Sequence, residues 1–141
     1  MTPKEQVLNA DDLLLFDIKS ESNISIIESS PEIQLGISNH FFHNLEESNI
    51  KIHLNIHLKS KDEKSFADFD LEFFFHIHHL EKYYHMEDEE PLFAGNLVTT
   101  LLSVSYSTSR GIIFEKLKNT LWNENILPII SPIKLLNNNN D

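Results

Sequence analysis

The sequence predicts an α+β protein in which an antiparallel sheet packs against one long helix, and three observations predict it. Two runs, residues 50–58 and 69–77, alternate apolar and polar side chains with the period of two that a half-buried strand imposes. The stretch from Leu97 to Trp122 is too long for a strand and carries a helical stripe in its second half. A last apolar segment, residues 126–136, is interrupted by Pro128 and Pro132, so it reads as an extended arm and neither a regular helix nor a central strand.

Composition narrows the function classes. With 141 residues and 40% hydrophobic side chains the chain is expected to form one domain over residues 13–136, flanked by a flexible N-terminus (1–12) and an Asn-rich disordered tail (137–141). Only three glycines are present, too few for the Gly-rich loops that cradle phosphates. A formal net charge of −11 repels a phosphate backbone, so nucleic acid is a poor partner and a basic or unfolded polypeptide a better one. The absence of cysteine removes disulfides, thiol nucleophiles and thiolate metal sites together. No signal-peptide plan and no run of membrane-spanning length is visible, so a cytoplasmic protein without membrane insertion is expected.

The first strand is expected over residues 16–26, where Phe16, Ile18, Ser20, Ser22, Ile24 and Ile26 share one face. Residues 31–37 follow a Ser-Ser-Pro break and read as a short strand or an extended continuation. Ile50, Ile52, Leu54, Ile56 and Leu58 give the next strand one dry face; Phe69, Leu71, Phe73, Phe75 and Ile77 do the same for the last. A polar turn centred near residues 62 and 63 makes these two an antiparallel hairpin, with His57 opposite Asp68 and His53 opposite Glu72 on the wet face. Strands in this order suggest a meander with open edges, through which two copies could pair. Residues 81–91 are charged and read as an irregular connection. One helix is expected through to Trp122, with Ile113, Phe114, Leu117 and Leu121 on its stripe and Ser103, Ser105, Ser107 and Ser109 on a small face that admits a close neighbour.

Three clusters could carry chemistry. His53, His57, His76 and His78, with Asp68 and Glu72, form a donor set that Zn²⁺ or Ni²⁺ would accept, yet strand-spaced histidines on a solvated face are ordinary polar filler and lie in separated rows; no metal or other cofactor is expected. The serine run lacks a nucleophile elbow or a base fixed by spacing, so close helix packing explains it better. Arg110, the only arginine, either anchors a carboxylate at a subunit interface or sits exposed.

Several runs resemble the bacterial protein-export chaperone SecB family over residues 14–136. These are Ile24-Ser25-Ile26 at the end of the first strand, Pro31-Glu32-Ile33-Gln34-Leu35, the aromatic strand ending Phe74-Phe75-His76-Ile77, and Ser105-Tyr106-Ser107-Thr108-Ser109-Arg110-Gly111 followed by the proline-containing arm. The resemblance implies a four-stranded antiparallel sheet packed with one long helix and a Pro-containing C-terminal extended arm. It also implies a homotetramer, built as a dimer of dimers, that holds unfolded polypeptides in apolar grooves without ATP, passes exported ones to a translocation motor and has no catalytic residues. Carried over, the client groove is lined by Leu92, Phe93 and Leu97 before and at the start of the helix, and by Leu127, Ile129, Ile130, Ile133, Leu135 and Leu136 of the arm. A partner surface falls on Asp68, Asp70 and Glu72, with Asp68 at the family's motor-binding position. The pattern departs at Asn23 and Ile27, where acids are expected, and at Phe73 and Phe74, where the family's strand is Gly-rich. Some divergent members of the family serve a toxin–antitoxin pair.

The expected function is therefore ATP-independent holding of unfolded polypeptides or preproteins, without turnover. The alternative is a dedicated interaction protein for one partner, of toxin–antitoxin or immunity type.

Overall fold

The computed structural model describes residues 7–28 and 32–123. Six strands and one helix follow in order: β1 (Leu13–Ser25), β2 (Ile33–Asn44), β3 (Asn49–Ser60), β4 (Phe66–Ile77), β5 (Tyr84–Glu87), β6 (Glu90–Phe93) and α1 (Gly95–Leu117). The first four make one antiparallel sheet and β5–β6 a separate two-stranded hairpin.

The four-stranded sheet and the long helix agree with the sequence expectation, but the strand order is β1-β4-β3-β2 and not a meander. β1 pairs with β4, as Ile18 opposite Phe73 and Ser22 opposite Phe69 show. The physical reason lies in the rows of apolar side chains. β3 and β4 each bury an unbroken alternate row, Ile50 to Leu58 and Ala67 to Ile77, and so take the centre, where both edges are paired. β1 and β2 have weaker rows and flank them at opposite edges, about 14 Å apart at three strand spacings. The hairpin register is as expected, with His57 opposite Asp68 and His53 opposite Glu72. Its turn is fixed by the Ser60 hydroxyl, which donates to Asp62 at 2.6 Å and accepts from the Ser65 N–H at 3.1 Å. That donation and the Lys64 N–H hold the Asp62 carboxyl below its ordinary value.

α1 lies across β3 and β4 and closes the core with Leu97, Leu101, Leu102, Tyr106, Ile113 and Leu117. Ser105 and Ser109 are fully buried, and each hydroxyl donates 2.8 Å to the carbonyl four residues back, so their polar groups are satisfied within the helix. Burial raises the Tyr106 hydroxyl above its ordinary pKa, against the nearby Arg110 charge, which lowers it.

Several expectations are corrected. α1 ends at Leu117, because the Lys118 N–H closes the last turn on the Phe114 carbonyl and the chain then turns at Thr120, whose hydroxyl donates to the Leu117 carbonyl and accepts from Trp122 N–H. Trp122 is buried in that turn, whereas Phe114 and Leu121 of the expected stripe are exposed. Residues 81–91 are not irregular: a 3₁₀ turn (Leu80–Tyr83) leads into β5–β6, joined at Asp88 and Glu89, both with positive φ as a tight two-residue hairpin turn requires. β2 runs seven residues further than the 31–37 segment, to Asn44. Ahead of β1, and apart from these corrections, residues Ala10–Asp12 form a 3₁₀ turn capped by the Asn9 side chain, with Asp12 buried; residues 1–6 lie outside the described residues. The tail (137–141) lies outside the described residues.

Candidate functional site

Of the expected groove residues, Leu92, Phe93 and Leu97 lie within the described residues, and these three do not share one surface. Leu97 is 0% exposed and belongs to the core under α1, so it offers no surface to a client. Leu92 is 38% exposed on β6. Phe93 leans across the end of β2, its ring 5.2 Å from Phe41, 5.6 Å from His43 and 5.7 Å from Tyr84. Phe93 thus packs the hairpin against the end of β2, while Met86 and, on the opposite face of the hairpin, Leu92 are exposed. Leu127, Ile129, Ile130, Ile133, Leu135 and Leu136 lie outside the described residues.

The second apolar surface is the outward side of α1. Val104, Ser107, Gly111 and Phe114 recur at helical spacing and are all exposed, and no charged residue occurs from Gly95 to Ser109. Its first four turns have Ser, Thr and apolar residues on that side; charge enters only with Arg110 and with Glu115, which pairs with Lys118 at 2.8 Å.

The third surface is the sheet face away from α1. Register aligns its side chains in rows across the four strands. Phe42, Lys51, Phe74 and the Phe16–Asp17 pair form one; His40, His53, Glu72 and Lys19 the next; then Ser38, Asn55, Asp70 and Glu21; then Gly36, His57, Asp68 and Asn23. The expected partner residues Asp68, Asp70 and Glu72 therefore line up along β4. Each has a neighbour: His57 Nδ1 contacts Asp68, His53 Nε2 lies 2.6 Å from Asp70, and Lys51 Nζ donates 3.0 Å to Glu72.

The histidines of the metal reading are distributed by the same register. His53 and His57 each meet one acid, His76 Nδ1 lies 2.9 Å from Asn49 Oδ1, and the His78 ring lies against that of His79 at a tilt of 53°. Among the described residues no group of three or more His, Asp or Glu is placed to hold a metal ion.

Sequence reasoning missed the aromatic row. It assigned Phe16 to the dry face of β1, but a bulge between Leu15 and Asp17 leaves Phe16 without a strand partner and turns it to the open face, 6.2 Å from the Phe74 ring. The available signal was Phe74 itself, an aromatic residue among the acids and histidines of the wet face, together with Phe42.

The class this architecture defines is a SecB-like fold: a four-stranded antiparallel sheet with one long helix across it. Among solved structures, the chain is similar to the SecB-like chaperone Rv1957 of Mycobacterium tuberculosis in complex with a ChAD peptide from the Rv1956 HigA1 antitoxin, with a TM-score of 0.61 and 15% identity over 86% of this chain and 93% of that one. No family model and no curated protein matches the sequence. No helix among the described residues is long and apolar enough to cross a membrane.

Proposed function

We propose that this chain is an ATP-independent holdase that binds unfolded polypeptides by burying their apolar segments, in the cytoplasm, as a homo-oligomer and without turnover. The observation that carries the reading is apolar surface left open on a folded domain, apart from the side of α1 assigned to assembly: Leu92 and Met86 on the hairpin are exposed. Such surface marks interaction sites. The SecB-like fold supports the same class, and the charge-free stretch of α1 from Gly95 to Ser109 supports assembly into a dimer of dimers. Delivery of preproteins to a translocation motor is the role this class would have in export.

The second reading is a chaperone dedicated to one partner, such as an antitoxin; it is favoured by the peptide complex of the Mycobacterium tuberculosis neighbour.

The test is suppression of aggregation of a heat-unfolded reporter by tag-free protein without nucleotide. Wild type is expected to suppress it at near-stoichiometric ratio. The double variant Leu127→Asp, Ile130→Asp is expected to lose suppression while keeping the wild-type unfolding curve; unchanged suppression removes the arm from the account. Suppression for a single antitoxin-like partner alone selects the second reading.

A further inference from the structure

We propose that the pocket between the aromatic side chains of the open sheet face binds a small neutral arene carrying an oxygen acceptor, such as an aryl ketone. The site takes a small molecule and not a polypeptide, and it is independent of the holdase reading.

The pocket follows from strand register. Phe42 of β2, Lys51 of β3 and Phe74 of β4 are neighbours in one row, so two strand spacings, about 10 Å, separate the phenylalanines with the lysine between them. A flat ring seated between two walls needs about 7–8 Å, twice the contact distance of carbon atoms. Phe16, turned outward by the β1 bulge, closes the far side, its ring 6.2 Å from that of Phe74 and inclined to it by 51°. The pocket these residues line has a volume of about 240 Å³. Pockets for drug-sized ligands run from roughly 300 to 1,000 Å³, so this one suits a ligand of naphthalene scale. Phe16 is 51% and Phe42 48% exposed, so the fold leaves much of their apolar area for such a ligand to cover.

Two donors give the pocket its polarity. An ammonium group carries three protons, and Glu72 accepts one from Lys51 Nζ at 3.0 Å. The other close neighbours of Nζ are ring faces, 4.6 Å away at Phe42 and 5.9 Å at Phe74, and these leave its remaining protons without an oxygen. Asn49, two residues along β3 on the same face, also lines the pocket. Its Oδ1 lies 2.9 Å from His76 Nδ1, which leaves the amide Nδ2 as a donor without an acceptor among the described residues. Asn44, opposite Asn49, is spent: Glu47 engages both ends of its amide. An oxygen acceptor on the ligand is therefore what Lys51 and Asn49 lack.

Charge excludes the ionic versions of such a ligand. Glu72 already neutralises Lys51, Asp17 stands beside Phe16, and the chain carries a net charge of −11, so an aryl carboxylate or sulfonate is repelled. An aryl ammonium meets Lys51 and also Lys19, whose Nζ lies 5.2 Å from the Phe74 ring centre. A neutral ketone or amide oxygen meets neither objection.

The probe is Prodan, a neutral dimethylaminonaphthyl ketone whose emission reports the polarity around it, titrated with the full chain. Two analogues run beside it, the same dimethylaminonaphthalene without the ketone and with a sulfonate in the ketone's place. Wild type is expected to bind one Prodan per chain, and both analogues at least about tenfold more weakly. Phe42→Ser and Phe16→Ser, at exposed positions, are each expected to weaken Prodan binding at least about tenfold with unchanged unfolding curves. Leu92→Ser, on the hairpin surface of the holdase reading, is expected to leave Prodan binding unchanged, which separates this pocket from apolar surface elsewhere. Lys51→Met keeps the stem but removes the ammonium, and is expected to narrow the preference for Prodan over its ketone-free analogue at least about threefold. Equal wild-type affinity for those two compounds overturns the proposal, as does unchanged Prodan affinity in both Phe42→Ser and Phe16→Ser. If wild type ignores Prodan and Phe42→Ser breaks up an oligomer, the row packs against a second copy and the proposal fails. Reporter aggregation measured on the same preparations keeps the two claims apart: absent holding with intact Prodan binding sinks only the holdase reading, and the reverse sinks only this one.

Discussion

The Tyr83 hydroxyl donates a 2.7 Å hydrogen bond to the buried Asp12 carboxylate, joining the turn before β1 to the turn before β5. Asp12 also accepts, through its carbonyl, from the His78 N–H at 2.7 Å, so the start of β1 and the end of β4 close one clasp. Tyr83→Phe leaves a buried carboxylate without its donor and is expected to cost about 1–3 kcal/mol, measured by urea unfolding.

The same hydroxyl predicts an alkaline limit. Burial first, and then Asp12, raises the Tyr83 pKa above its ordinary 10.0, so the folded state binds the proton more tightly than the unfolded chain. The corresponding stability is present below pH 10.0 and is lost as pH rises through the folded value. Unfolding midpoints taken from pH 8 to 12 are expected to fall more steeply in wild type than in Tyr83→Phe. Part of the fall persists in the variant, because burial raises Tyr106 as well.

Phe73 is fully buried at the middle of β4, between Ile18 of β1 and Ile52 of β3. Phe73→Ala removes a large side chain from a site walled by two paired strands, which limits collapse. A loss of about 3–5 kcal/mol is expected in chemical denaturation.

Ser105 is fully buried on α1, which packs over β3 and β4. Ser105→Leu inserts methylenes where the helix has no room to move and is expected to cost about 1–3 kcal/mol, whereas Ser107→Leu on the outer side changes stability little. Equal effects at the two positions would contradict the packing assigned to the serine face.

What could be read from the sequence tracks how local the determining physics is. The β3–β4 hairpin was legible down to its register, because strict alternation sets the buried face and one polar turn sets the pairing. The helix was legible in kind, but its end was not: no glycine marks Leu117, and the stop comes from the Thr120 hydroxyl and a buried Trp122. The β5–β6 hairpin was hidden because Asp88 and Glu89 hold positive φ where Asn or Gly would have announced the turn. The place of β1 beside β4 depends on which strands have both edges paired, a property of the whole sheet. Alternation puts Asp68, Asp70 and Glu72 on one side of β4, as the register has them, but it misplaces Phe16, because a single bulge residue reverses the count. Leu97 enters the expected groove through the family resemblance alone, and the structure buries it under α1.

The proposed assembly places the charge-free stretch of α1, Gly95 to Ser109, and the neighbouring Phe114 at a subunit interface. Light scattering on tag-free protein is expected to give a mass above the 16.4 kDa of one chain, a dimer or tetramer, and Phe114→Lys is expected to lower it. A monomer at all concentrations would leave that face without the role assigned to it.

The most direct test of the holding function is equilibrium binding, without nucleotide, of a reduced and carboxymethylated reporter that cannot fold, set against the same reporter in its native form. The account predicts binding of the unfolded chain and none of the native one. No affinity for the unfolded reporter, or equal affinity for both forms, would contradict it.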